Sequence, residues 1–469
     1  MHNRHGDSIR TVAIVGGGPG GLMTAYLLQK KSDLPLRVTL YESSGRCGGK
    51  VMTPRFDAAP VQYEAGAAEF YDYSVCGPSG GSGSADDALK ELIAELGLAI
   101  SPMGGQSIVM GERWLANLDD VEAHFGPRVR RSLETFHGKA RDRMSPWEFY
   151  CSGGMESPPV HRPERRFETY LRQTISGTQR SIVENMIHSD LATEPSATSV
   201  EYGLQNYLMN DPAYMRLYAI DGGNEQLIHR LRERVAAAFR LNEPVSQIVP
   251  GSGGRLRVRS KRGGEPHEGE YDFVIVAVPH DGLGRIEFGG ARLASALDAH
   301  RQRYDHPAHY LRITALFRRP FWRGTMVDSY CMLDRFGGCC LYDESSRSIE
   351  PNWGVLGWLL AGEQARQGAL VPDEVLISQA LDSLPRRLGN ARKWFLEGRV
   401  HRWIGAVNAI PGGVSPLGLD RRHQIDPVVH PRLFVVGDYL FDATLNGVLD
   451  SADYVSDWVV ADLHQSLAD

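Results

Sequence analysis

TVAIVGGGPGGL, residues 11–22, is the stretch that decides the fold of this chain. Its apolar first half predicts a short strand, its glycines predict a tight turn, and residues 22–31 carry apolar side chains at helical spacing. Residues 37–42, RVTLYE, are rich in strand-forming side chains and follow that helix. The pattern therefore predicts a strand, a helix and a second strand parallel to the first.

The glycine turn has the spacing of a dinucleotide-binding fingerprint. Gly16, Gly18 and Gly21 allow a sharp turn and a close approach of the backbone, so that a pyrophosphate can lie at the helix N-terminus. Glu42 ends the next strand about 20 residues further on, where a carboxylate accepts hydrogen bonds from both ribose hydroxyls. An acidic residue there disfavours a ribose that carries a 2′-phosphate.

A second glycine turn, SSGRCGGK at residues 43–50, follows at once and places Arg46 and Lys50 near a diphosphate. A fold that binds only NAD does not need this turn. Together with EAGA at residues 64–67 and VVGD at residues 435–438, it resembles the flavin-containing amine oxidase superfamily. That superfamily also contains protoporphyrinogen oxidase and phytoene-desaturase-like enzymes, and the resemblance spans nearly the whole chain.

The resemblance implies a set of FAD-binding positions. Those expected over the pyrophosphate are Arg46, Gly48, Gly49 and Lys50. Those expected beside the flavin ring are Gly66 and Ala67, with Gly447 and Val448 opening the last helix toward the N1/O2 edge of the ring. Val245 is expected at the adenine, and Gly437 with Asp438 at the ribityl chain.

Departures from the family pattern carry further expectations. Arg318, in FRRPFW at residues 317–322, takes the place expected for a lysine that holds a water at flavin N5, and His309 is a second candidate catalytic residue. Ala406 stands where covalently flavinylated members have a cysteine, so the FAD is expected to be noncovalent. Val407 and Val448 replace the two tyrosines of the amine oxidase cage.

The predicted function is an FAD-dependent oxidase of an amine or amino acid, which passes a hydride to flavin N5. Only one complete dinucleotide fingerprint is present, so oxygen or a quinone-like acceptor is expected to reoxidise the flavin. The first alternative is a flavin-dependent C–C dehydrogenase or desaturase of an apolar or polycyclic substrate, which the two valines would suit. The second is a non-catalytic binding protein, similar to the dissociation inhibitors of small GTPases.

The predicted fold is α/β, with a discontinuous Rossmann-like FAD-binding domain and a mixed α+β substrate domain. We expect the first at 10–75, 221–290 and 398–469, and the second at 76–220 and 291–397. Within the latter, 76–85 predicts a Gly/Ser loop and 86–211 a largely helical insertion. The insertion contains tyrosines that either line the substrate cavity or pack helices, namely Tyr202, Tyr207, Tyr214 and Tyr218.

Composition excludes several classes of partner. Lys and Arg total 51 against 57 for Asp and Glu, giving a net charge of −6, so no nucleic acid partner is expected. No transmembrane segment or signal peptide is predicted, and the 6 scattered cysteines lack metal-ligand spacing. These features favour a cytoplasmic enzyme with reduced thiols and no metal. A homodimer is compatible with the sequence, which does not identify the substrate.

Overall fold

The structure is a computed structural model that describes residues 9–75, 87–105, 107–151, 166–345, 352–409, 417–441 and 443–468. The predicted Gly/Ser loop at 76–85 lies outside these residues. The strands are β1 (Arg10–Val15), β2 (Leu36–Tyr41), β3 (Phe70–Asp72), β4 (Ile100–Met103), β5 (Ile108–Met110), β6 (Arg113–Leu115), β7 (Arg216–Ile220), β8 (Ala237–Arg240), β9 (Val245–Pro250), β10 (Leu256–Arg262), β11 (Glu265–Tyr271), β12 (Phe273–Val276), β13 (Glu287–Phe288), β14 (Pro307–Phe317), β15 (Tyr330–Leu333), β16 (Cys339–Asp343), β17 (Gly354–Ala361), β18 (Phe395–Asn408) and β19 (Leu433–Val435).

The helices are α1 (Pro19–Lys31), α2 (Ala88–Glu95), α3 (Leu118–Phe125), α4 (Pro127–Arg143), α5 (Pro146–Cys151), α6 (Phe167–Thr174), α7 (Gly177–Leu191), α8 (Val200–Leu208), α9 (Gln226–Arg234), α10 (His280–Leu283), α11 (Ala291–Arg303), α12 (Gly362–Gly368), α13 (Asp373–Ser383), α14 (Ala391–Trp394), α15 (Leu419–Arg422) and α16 (Leu445–Ala468). Within the described ranges, none of them is both long and apolar enough to cross a membrane.

A five-stranded parallel sheet, ordered β19-β12-β1-β2-β8, draws its strands from the N-terminal, middle and C-terminal parts of the chain. Helices α1, α9 and α16 bury their apolar faces against it, in one core cluster with Ile14, Leu40 and Ile275. The strands β12 and β19 are wholly apolar and buried, and β1 is apolar from Val12 to Val15, as a sheet covered on both faces requires. This confirms the predicted α/β fold.

A seven-stranded sheet, ordered β18-β14-β17-β16-β15-β5-β6, forms the second large layer of the molecule. Strand β14 lies antiparallel between β18 and β17, with Ala308 opposite Val407 and Phe317 opposite Phe395. Because side chains alternate along a strand, residues 308, 310, 312 and 314 share one face and residues 309, 311, 313 and 315 the other. The two faces pack into different clusters, the first with Ala192 and Tyr202.

Two predicted segments need correction. The sequence YDFVIVAV at residues 271–278 predicts one buried strand, but the structure divides it at Asp272. The Asp272 carboxylate accepts hydrogen bonds from both the backbone amide and the hydroxyl of Thr11 at 2.8 Å. Tyr271 therefore ends β11, and β12 begins at Phe273. The expected helical insertion over 86–211 also contains three short strands, β4 to β6, which add to two of the sheets.

Candidate active site

The first glycine turn is packed too tightly for side chains at two of its three fingerprint positions. A Cβ on Gly16 would lie 2.3 Å from the carbonyl oxygen of Ala277, and one on Gly21 would lie 2.0 Å from that of Gly16. Gly16 also has a φ of 116°, which favours glycine. Around Gly18 the space is open, since a Cβ there would meet nothing within 4 Å. An anion can therefore approach the backbone at the start of α1.

Glu42 lies beside this turn at the end of β2. Its Oε2 accepts the amide of Gly17 at 2.8 Å, and its Oε1 accepts the amide of Ser44 at 2.8 Å. The chain just before Val245 lies next to Glu42, because the amide of Glu243 donates to the carbonyl of Glu42 at 2.9 Å. Val245 itself packs in the same cluster as Val15. The structure thus brings Glu42 and Val245, both predicted site residues, to one side of the first turn.

The second glycine turn is bonded to the first, because the amide of Gly48 donates to the carbonyl of Gly17 at 2.8 Å. Arg46 holds the turn together: its guanidinium donates to the carbonyls of Cys47 at 3.0 Å and Gly49 at 2.7 Å. It also forms an ion pair with Glu225 at 3.2 Å. In this structure Arg46 is therefore a residue of the turn itself as well as a candidate phosphate ligand.

Lys50 connects this turn to the C-terminal motif. Its Nζ lies 2.9 Å from Oδ2 of Asp438 and donates to the carbonyl of Ala406 at 2.5 Å. The carbonyl of Lys50 in turn accepts the amide of Ala67 at 3.1 Å. A Cβ on Gly66 would lie 1.8 Å from that same carbonyl, so only glycine fits there. Four predicted positions, Gly66, Ala67, Ala406 and Asp438, therefore meet around Lys50.

The last helix reaches the same place. Its first turn is closed by Thr444, whose hydroxyl accepts the amide of Gly447 at 3.1 Å and whose carbonyl accepts that of Val448 at 3.1 Å. Gly20 in α1 lies so near Val448 that a Cβ there would be 3.4 Å from the valine Cγ1. The N-termini of α1 and α16 are thus adjacent, as the sequence predicts for helices that meet a common ligand.

A cavity opens next to this group of motifs. Its described lining combines aromatic and apolar side chains with three uncharged polar ones and one carboxylate. The residues are Tyr71, Tyr73, Phe149, Asp190, Ala192, Tyr202, Gln205, Asn206, Met209, Tyr310, Val407, Ala443 and Thr444. Val407 directly follows Ala406, and Thr444 begins the turn into α16, so the cavity adjoins the expected flavin position. Of the tyrosines left open above, Tyr202 lines the cavity, whereas Tyr207 and Tyr214 pack in a helical core cluster.

A second cavity shares Tyr71, Asp190 and Met209 with the first. It adds a second carboxylate, Glu69, together with Tyr330 and Tyr342. Burial raises the pKa of Asp190 to about 7, and the negative charge of Glu69 adds to the rise. Burial also raises the pKa of Tyr71 and Tyr310 well above the usual range, so both phenols stay neutral at physiological pH.

Arg318 does not lie at this site, contrary to the sequence prediction. It follows the last residue of β14 and is exposed, with its amide donating to the carbonyl of Trp394 at 2.9 Å. Tyr310, which lines the cavity, lies eight residues earlier, or about 26 Å along an extended strand. The strand therefore separates Arg318 from the residues that line the cavity, which the sequence alone does not show.

His309 also points away from the cavity. It alternates with Tyr310 on β14 and therefore faces the opposite side of the sheet. Its Nδ1 accepts the amide of Gly405 at 3.0 Å, and burial lowers the pKa of its imidazole. These contacts place His309 on the far face of β14 from the cavity, where it bonds to the backbone of β18.

Arg312 was missed by the sequence analysis and lies on the cavity-side face of β14. It is fully buried, its Nε donates to the carbonyl of Glu64 at 2.7 Å, and its Nη2 pairs with Glu344. Glu344 in turn accepts the amide of Glu64 at 2.8 Å. The available signal was a single arginine inside the apolar run YLRITALF, residues 310–317.

Glu64 continues this buried polar network toward the second glycine turn. Its carboxylate accepts the hydroxyl of Thr53 at 2.9 Å and the amide of Asn224 at 2.9 Å. Asn224 also donates through its side chain to the carbonyl of Ala67 at 2.9 Å. Glu225 accepts the amide of Thr53 at 2.8 Å and pairs with Arg46. The network thus holds the segment 64–67 between the glycine turn and β14.

Comparisons with known proteins identify the family of this chain and solved structures with a similar fold. The family model for flavin-containing amine oxidoreductases matches residues 19–460. Cyclohexylamine oxidase from Brevibacterium oxydans IH-35A superposes with a TM-score of 0.74 at 18% identity, covering 97% of this chain and 100% of that one. A triple mutant of putrescine oxidase superposes with a TM-score of 0.73 at 19% identity, covering 97% and 99%.

A match to a curated relative covers less of either chain. Coproporphyrinogen III oxidase of Bacillus subtilis (strain 168) is 30% identical over 149 residues, which are 29% of this chain and 29% of that protein. The chain thus matches under a third of that relative's length.

Proposed function

The chain belongs to the flavin-containing amine oxidoreductase family and is an oxidoreductase with a flavin cofactor; on this premise, we propose that it is an FAD-dependent amine oxidase. The observation that carries the proposal is the cavity beside Val407 and Thr444, whose described lining contains one charged group, the carboxylate of Asp190. A positively charged amine gains from such a lining, whereas an anion is repelled.

The residues present fit FAD. The open backbone at Gly18 and the N-terminus of α1 suit a pyrophosphate, and Glu42 keeps acceptor capacity for ribose hydroxyls next to them. Lys50 and Asp438 offer a donor and an acceptor between the glycine turn and Ala406. When bound, FAD supplies a two-electron acceptor for the hydride on the carbon next to the amine nitrogen.

The reaction that we propose converts an amine and oxygen into an imine and hydrogen peroxide, after which water hydrolyses the imine to an aldehyde and ammonia. The chain's own residues bind and orient the amine for this reaction. Tyr202 and Tyr310 contribute aromatic faces, and Val407 and Met209 exclude water from the reacting carbon. Oxygen as the final electron acceptor is part of the proposal.

Noncovalent binding is also proposed. Ala406 has no thiol, and Cys47, which lies in the second glycine turn, is buried with its thiol pKa raised by that burial. Precipitating the protein with acid and identifying the released nucleotide by chromatography tests both points. FAD in the supernatant is expected, whereas flavin that stays with the precipitate contradicts noncovalent binding.

The second candidate is dehydrogenation of a carbon–carbon bond in a polycyclic substrate. It is favoured by the apolar Val407 at the cavity and by the partial match to coproporphyrinogen III oxidase. A porphyrinogen with several carboxylates would, however, meet the carboxylate of Asp190. Assaying hydrogen peroxide release with amines and with coproporphyrinogen III separates the two candidates, and the first predicts release with amines alone.

A further inference from the structure

Asp190 lies in the wall that the two cavities share, at the end of helix α7. Its Oδ2 accepts the side-chain amide of Asn210 at 3.1 Å. In the part of the chain that the structure describes, no lysine, arginine or histidine forms an ion pair with it. A carboxylate that is removed from water and has no paired cation is unfavourable unless a ligand supplies the positive charge.

The surroundings of Asp190 make this region a site for positive charge. The described linings of both cavities contain no lysine, arginine or histidine, and they contain Asp190 and Glu69. Arg312, the cation near Glu69, is already paired with Glu344. Tyr71 and Tyr310 line the first cavity as neutral rings, whose faces attract cations. An amino acid substrate would bring a carboxylate into this region and be repelled.

We propose that Asp190 binds a second cationic nitrogen of the substrate, so that the preferred substrate is a linear diamine and neither a monoamine nor an amino acid. This inference rests on the proposed amine oxidase function. One nitrogen is on the carbon that is oxidised beside Val407 and Thr444, and the other donates to the carboxylate of Asp190. Both groups line the same cavity, so one flexible chain can reach both.

The expected effect follows from the strength of such a contact. A hydrogen bond between an ammonium and a carboxylate contributes about 1.5–3 kcal/mol, which is about a 10- to 100-fold gain in affinity. Because the contact is distant from the reacting carbon, its loss should raise KM for the diamine and leave kcat nearly unchanged.

The test compares 1,5-diaminopentane with pentylamine, which has the same chain and one nitrogen fewer. The holoenzyme is assayed as wild type, as Asp190→Asn and as Glu184→Gln. The last is the matched control, because Glu184 is a carboxylate on the same helix that pairs with Arg180 and lines neither cavity. We expect wild type and Glu184→Gln to prefer the diamine about 10- to 100-fold in kcat/KM. Asp190→Asn should lose that preference while still oxidising pentylamine.

Two results would overturn the inference in different ways. If amines are oxidised but wild type shows no preference for the diamine, or Asp190→Asn keeps that preference, the role of Asp190 is wrong and the amine oxidase function stands. If the FAD-loaded enzyme oxidises neither compound, the proposed function fails and the inference fails with it. The wild-type preference is informative by itself, even if the variant does not fold.

Discussion

The ammonium of Lys50 and the carboxylate of Asp438 form an ion pair at 2.9 Å across a sequence separation of 388 residues. The pair joins the second glycine turn to the motif that follows β19. It places a cation and an anion next to the carbonyl of Ala406, which Lys50 also contacts. The N-terminal and C-terminal parts of the proposed FAD site are therefore connected directly.

The first prediction concerns this pair. Lys50→Met should weaken FAD binding about 10- to 100-fold, because it removes a charged donor and leaves Asp438 unpaired near the cofactor. Lys30→Met is the control, since Lys30 forms an ion pair with Glu95 on the surface. FAD content after gel filtration and titration of the apoprotein measure the effect. Equal FAD affinities in the two variants would show that Lys50 does not contribute to FAD binding.

Glu42→Ala should yield folded protein with little FAD. The carboxylate is expected to bind the ribose, and it also holds the amide of Gly17 at 2.8 Å, so its loss disturbs the turn as well. Hydrogen bonds of this charged kind contribute about 1.5–3 kcal/mol each. Circular dichroism checks the fold and absorbance checks the flavin. Glu233→Ala, which removes an exposed carboxylate, should keep its flavin; a normal flavin content in Glu42→Ala would contradict the assignment.

Substitution of Arg312, within β14, should destabilise the protein much more than substitution of Arg318, just after that strand. Arg312→Met leaves Glu344 as an uncompensated buried charge, which costs about 3–5 kcal/mol. Arg318→Met changes an exposed side chain and should alter stability by less than about 0.5 kcal/mol. Denaturant unfolding measures both. Adding Glu344→Gln to Arg312→Met should recover part of the loss, and similar losses in the two single variants would contradict the burial of the pair.

Asp190 should make the protein less stable as the pH rises. Its pKa is about 7 in the folded chain against an ordinary value of 3.8, so the folded state holds an extra proton between these values. The stability present below the lower pKa is therefore lost as the pH rises through the upper one. Other ionisable groups facing Asp190 are Glu69, Tyr71, Tyr310, Tyr330 and Cys340.

The corresponding variant is Asp190→Asn, which cannot ionise. It should raise the melting temperature by about 2–4 °C at about pH 8 and by little at about pH 4. Thermal unfolding of both proteins in the same buffers without substrate measures the difference. A gain that is equal at the two pH values would mean that Asp190 titrates normally.

The sequence predicted the local parts of this site well. Gly16, Gly21 and Glu42 belong to a motif whose geometry is set by neighbours along the chain, so their spacing alone indicated the turn and the carboxylate beside it. Gly66 could be anticipated only through the family resemblance, because the carbonyl that excludes a side chain there belongs to Lys50.

The residues that the sequence did not identify depend on distant partners. Arg312 lies inside an apolar run and Arg318 just after it, but the buried partner of Arg312 is Glu344, 32 residues further along the chain. Asp190 lies in the last turn of α7, and the sequence of that helix does not distinguish it from an ordinary surface carboxylate. The residues around it, such as Tyr71 and Met209, belong to other parts of the chain. No local pattern encodes such contacts, so these positions required the packed fold.

If this enzyme is an amine oxidase, an amine must reduce its bound flavin. The most direct measurement follows the visible absorbance of the enzyme-bound flavin after anaerobic mixing with amines, amino acids and polycyclic alkenes in turn. Amines should bleach the flavin, and deuterium on the carbon next to the nitrogen should slow the bleaching. A flavin that no amine bleaches, but that a porphyrinogen or another polycyclic compound does, would contradict the proposed amine oxidase function.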